Sequence, residues 1–139
     1  MYSGAAETER RARRNSKPAV AGRFRAVRAM SEELASPLSA EDQQIQSMPD
    51  VSPTRWHLAH TSWFFETFVL SPEDGYQCFD DQYGHLFNSY YNTIGSQFPR
   101  PRRGLISRPG LARIMEYRAY VDDQMDNLLS SGNLNDNAR

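Results

Sequence analysis

The stretch SPTRWHLAHTSWFFE, Ser52 to Glu66, constrains the fold more than any other part of the chain. Ser52 is a capping residue type, and Pro53 suits the first helical position, where its missing N–H costs nothing. The pattern predicts a helix from Pro53 to about Leu70, stopped by Ser71-Pro72 and Gly75. At about 3.6 residues per turn, Trp56, His60, Trp63 and Thr67 share one face. Leu58, Phe64, Phe65, Phe68, Val69 and Leu70 make the helix apolar on most other sides, so it requires several packing neighbours. His60 then lies between two indoles on an interior face. A histidine there needs a partner, and two are open: a backbone carbonyl, as for an ordinary core histidine, or a metal ion.

Two further helices follow from apolar spacing. Val20, Phe24, Val27, Met30 and Leu34 recur at three- and four-residue steps, predicting an amphipathic helix from about Ala19 to Ser36-Pro37. Leu111, Ile114, Met115, Tyr117, Val121, Met125 and Leu128 predict another, from Arg108 or Gly110 to Leu129. Between the first two helices, EDQQIQSMPD reads as a polar connection anchored by Ile45 and Met48. Leu86 to Ile94 is expected to hold a short helix, and Pro99 to Pro109, with three prolines and four arginines, an irregular connection. No strand-like alternation occurs, so the fold class is all-α. Residues 1–18, without apolar periodicity, read as a flexible tail, 19–130 as the helical domain and 131–139 as a polar tail. Three long helices with this much aromatic surface call for a fourth, because four-helix bundles bury such faces and build metal sites between them.

Charge and composition exclude several functions. Formal net charge is −1, with basic clusters before Met30 and from Arg100 to Arg118, too small for a nucleic-acid face. No apolar run approaches the roughly 20 residues of a membrane span. The single cysteine, Cys78, forms no internal disulfide and fits a reducing compartment, and a cytoplasmic location is expected. Neither a GxSxG elbow nor a Gly-rich phosphate loop is present, and no base pairs with Cys78. Glu66, Asp80 and Asp81 read as solvated or capping carboxylates.

The available ligand chemistry is narrow. His57 and His60, three residues apart, point along neighbouring faces, and a local structural zinc would have to recruit Cys78 and His85 as well. Arg100, Arg102, Arg103 and Arg108 lie on a proline-stiffened segment, where guanidinium forks suit carboxylates or phosphates, or else pair with the chain's own acidic stretch.

The blocks SAEDQQIQSMPDVSPTRWHLAHTSWFFETFVL and FDDQYGHLFNSYYNTIGSQFPRPRRGLISRPG closely resemble the N-terminal domain of the ergothioneine biosynthesis sulfoxide synthases. These are iron(II)-dependent enzymes with a DinB-like four-helix bundle at their N-terminus. The resemblance spans about Phe24 to Leu129. It implies a DinB-like bundle of which three long helices are present, and it makes His60 an iron ligand. The family's other two iron-binding histidines sit in an HxxxH pattern on the last bundle helix, to which nothing here corresponds. The implied Fe(II) ligand set is therefore incomplete in this chain.

By position and three-residue spacing, the resemblance makes Arg100 and Arg103 the residues that bind the thiol substrate's carboxylates. His57 and His85 match no ligand position. Family members use O2 to join the sulfur of γ-glutamylcysteine or cysteine to the imidazole C2 of hercynine, oxidising it to a sulfoxide. A catalytic tyrosine belongs to a further domain similar to formylglycine-generating enzymes. The chain is accordingly expected to be an inactive fragment that self-associates through an exposed bundle face, with no nucleic-acid or membrane partner. Two alternatives are a stand-alone DinB-like metal-binding module with thiol-dependent transferase activity, and a non-catalytic helical interaction module.

Overall fold

In the computed structural model, residues 3–15, 17–89, 91 and 93–131 are described. They form helices α1 (Ser3–Asn15), α2 (Lys17–Ala35), α3 (Ala40–Gln43), α4 (Thr54–Phe65), α5 (Tyr83–Phe87) and α6 (Leu111–Ser131), with a 3₁₀ segment at Arg100–Leu105. A π-helical turn, Glu66–Leu70, extends α4. No strand occurs among the described residues, and none of their helices is long and apolar enough to cross a membrane. The fold is all-α. Residues 132–139, which hold nearly all of the expected C-terminal tail, lie outside the described residues.

The core lies where α2, α4 and α6 meet. Trp56, Leu58, Ala59 and Trp63 of α4 pack with Ile114, Tyr117, Val121 and Met125 of α6, all buried. Phe24 of α2 meets Phe65 edge-on at 5.0 Å. A buried polar seam runs through this interface. Arg118 is fully buried and donates to Glu32, to the Leu58 carbonyl, to Thr61 and to the Arg28 carbonyl. Arg28 in turn donates to Asp122 and Ser62, each at 2.6 Å. A cation buried between helices is tolerated when most of its donors are met in this way; of these two arginines only Arg28 Nη1 is buried without a partner.

Several boundaries differ from the sequence expectation. Residues 3–15, read as tail, form α1; Ala, Glu and Arg favour helix intrinsically, so no apolar stripe is needed. Residues 4–11 are all exposed, so that part of α1 stays outside the core. On α2 the buried line is Ala21, Phe24, Arg28 and Ala35, whereas Val20, Val27, Met30 and Leu34 face outward. Burial of Arg28, held by Asp122 and Ser62, turns the helix away from its most apolar stripe. Ile45 and Met48 are exposed rather than anchoring. Gln43 holds that connection instead, donating to the carbonyls of Ala35 and Leu38 at 3.3 Å. The short helix lies at Tyr83–Phe87, earlier than expected, and the arginine connection contains the 3₁₀ segment.

Candidate functional site

Four groups stack in one column along α4. The i, i+4 spacing lays the His60 ring on Trp56 at 4.7 Å and 11°, and the Trp63 ring follows at 5.5 Å and 18°. At the other end, the Arg103 guanidinium carbon lies 3.7 Å from the Trp56 ring centroid. Such a cation over an indole face is held by the ring's negative quadrupole. Phe68 and Tyr91 close the column beyond Trp63, at 5.9 and 5.8 Å.

Carbonyls at the end of α5 fix the column's rotation. Trp56 Nε1 donates to the Leu86 carbonyl at 3.0 Å, and His60 Nδ1 lies 2.6 Å from the Phe87 carbonyl oxygen. A carbonyl only accepts, so Nδ1 carries the proton and, in the neutral ring, Nε2 keeps a free lone pair. Burial lowers the pKa of His60 below 6.5; the Phe87 bond works against this, and the charge on Arg103 adds to it. The neutral ring is thus favoured in the fold. Its stabilisation is present above the unfolded-state pKa and is lost as pH falls from there through the lower folded-state pKa.

The arginine side of the column rests on the 3₁₀ segment. At three residues per turn, Arg100 and Arg103 lie on the same side of it. Arg103 is buried, donates from Nη1 to Ser52 at 3.0 Å, and its Nε is buried without a partner. Burial, with Arg100 nearby, pushes its pKa down to about 10, so it stays cationic at neutral pH. Ser52 therefore serves Arg103 instead of capping α4; Pro53 occupies the cap position and makes no side-chain cap bond.

Two side chains pin this segment. Gln46 accepts from the Gly104 N–H at 2.7 Å and donates to the carbonyls of Arg100 and Val51. Arg55 donates to the carbonyls of Ile106 and Pro109. A Cβ on Gly104 would sit 2.8 Å from Gln46 Cβ, which no side-chain rotation relieves. Gly104→Ala is expected to cost about 1–3 kcal/mol, as overpacking does. It should also shift indole emission as Arg103 is pushed off Trp56. Unchanged thermal unfolding and fluorescence would show that the contact is loose.

The remaining candidates go elsewhere. Arg102 is exposed, and Arg108 lines a separate cleft of about 490 Å³ with Tyr83 and Arg113. His57 is exposed, edge-on to Trp56 at 5.3 Å. His85 pairs with Ser96 at 2.9 Å. Cys78 donates to Asp81, which is the chief reason its thiol is pushed up to about 11. Asp80 accepts from the Gln82 N–H. Glu66 is buried, against the sequence expectation, and accepts from Tyr76, Tyr117 and the Phe79 N–H.

No group of three or more His, Cys, Asp or Glu side chains among the described residues is placed to hold a metal. The zinc set that would join His57 and His60 to Cys78 and His85 is therefore not assembled. His60 fits the role of one ligand: its other nitrogen is anchored to a carbonyl, the arrangement that orients metal-binding imidazoles. It does not make a site alone. The partners that fix the site, Gln46 and the Leu86 and Phe87 carbonyls, carry no periodic signal in the sequence. No curated protein matches the chain. The family described as the DinB superfamily matches it over residues 23–139.

Proposed function

The chain belongs to the DinB superfamily, and from that premise we propose that it forms the iron-ligating, thiol-binding part of an ergothioneine-type sulfoxide synthase. In this reading His60 Nε2 is one ligand of an iron(II) centre whose other ligands come from outside the described residues. Arg100 and Arg103 take the carboxylates of γ-glutamylcysteine or cysteine, whose sulfur is joined to hercynine with O2. A bound iron(II) would supply the oxygen-activating chemistry. The chain's own residues orient the imidazole, exclude water with two indoles, and hold a cation for the substrate.

The observation that carries the reading is the column itself. It sets a neutral imidazole with a free Nε2 and a buried guanidinium with an unpartnered Nε against the same Trp56 ring. A carboxylate is the natural partner for a guanidinium, because charge-assisted bonds are the strong ones.

The test is γ-glutamylcysteine titrated into the 139-residue chain, read by Trp fluorescence. Affinity is expected at about 1 mM, on the scale of two such contacts. Arg103→Met should weaken it by roughly ten- to a hundredfold, the worth of a charged hydrogen bond, while Arg102→Met leaves it unchanged. No binding, or an equal loss in both variants, would overturn the assignment.

A further inference from the structure

We propose that the outward face of α2 is a contact surface between two copies of this chain, paired antiparallel along that helix. Val20, Val27, Met30 and Leu34 stand 36, 63, 54 and 72 % exposed. With Arg23 they fall at steps of three and four residues, 20, 23, 27, 30 and 34, within about 80° of arc at ~100° per residue. That is the spacing of a helix-to-helix seam. It lies beside the buried line of Ala21, Phe24, Arg28 and Ala35, so both faces can be used at once. The exposed position Ala26 flanks this seam and is small, which allows a second helix to approach closely.

Charge selects both the occupant and its direction. Arg23 and Glu33 lie on this outward side, and neither side chain has an ion-pair partner among the described residues. They are separated by about 15 Å along the helix at ~1.5 Å per residue. A parallel pair would stack Arg23 on Arg23 and Glu33 on Glu33. An antiparallel pair centred between residues 28 and 29 places Val27 against Met30 of the second copy. It also brings Arg23 beside Glu33 and Leu34 of that copy, twice by symmetry. A self-complementary patch of this kind is what a two-fold interface requires. The face is therefore satisfied by the chain's own sequence.

Sedimentation of the full chain from roughly 5 to 500 µM should show a reversible monomer–dimer equilibrium, as fits a small interface. Val27→Glu should weaken it at least about tenfold by burying an unpaired charge in the seam. Arg23→Glu and Glu33→Arg should each weaken it, and the double reversal should restore it. All three positions are exposed, and unchanged helical circular dichroism will show that the variants fold. A monomer at every concentration overturns the proposal and leaves the face to a different chain. A dimer indifferent to Val27→Glu, or a double reversal no better than the single ones, overturns it too.

Discussion

Replacing Arg118 by alanine is expected to lower the unfolding free energy by about 3–5 kcal/mol, the scale of breaking a buried ionic contact. Arg118 is wholly excluded from solvent. From α6 it reaches Glu32 at 3.0 Å and the Arg28 carbonyl at 3.1 Å, both on α2. It also reaches the Leu58 carbonyl at 2.9 Å and Thr61 Oγ1 at 3.0 Å, both on α4. One side chain thus ties together all three helices of the core. Alanine removes these bonds and leaves a cavity where the guanidinium lay. Arg118→Met fills that volume and should cost less, because a well-packed apolar side chain can replace a buried ion at little net cost. Urea unfolding of the two variants checks both magnitude and order. A loss below about 1 kcal/mol for alanine would show that the helices are held by apolar burial alone.

Glu66→Ala is expected to cost about 3–4 kcal/mol, since stranding a buried donor costs ~1–3 kcal/mol each. Glu66 lies in the π-helical turn and gathers Tyr76 at 2.5 Å, Tyr117 at 3.0 Å and the Phe79 N–H at 3.2 Å. It thereby fastens the segment after α4 to α6. Burial, together with the bond to Glu66, holds both phenols well above the ordinary tyrosine pKa of 10.0. Glu66→Gln keeps an acceptor and should cost about 1 kcal/mol, one neutral hydrogen bond. An alkaline absorbance titration supplies the second readout: the two phenols should ionise at lower pH in Glu66→Ala than in the wild type. Identical titration curves would mean that burial alone raises them.

What was legible in the sequence was whatever repeats with the helical period. The Trp56–His60–Trp63 stack follows from i, i+4 and i, i+3 spacing, and α6 from its run of apolar steps. The same rule misled at α2, where Val20, Val27, Met30 and Leu34 are the apolar stripe yet Arg28 lies on the buried face. Periodicity cannot foresee a buried cation whose partners, Asp122 and Ser62, sit on other helices. Glu66 escaped for the same reason, because its donors come from Tyr76, Phe79 and Tyr117. Gln46 leaves no trace at all: its role depends on a 3₁₀ segment more than fifty positions away. The resemblance of whole blocks singled out Arg100 and Arg103, and the structure sets Arg103 on Trp56.

The most direct test of the account is the imidazole nitrogen NMR spectrum of the intact chain, followed while iron(II) is added without oxygen. His60 should appear at neutral pH as the uncharged Nδ1–H form, with a pKa below 6.5. Iron should broaden its Nε2 signal before those of His57 and His85. A His60 that carries its proton on Nε2, or that stays sharp while His57 or His85 broadens, would contradict the assignment of His60 as the metal ligand.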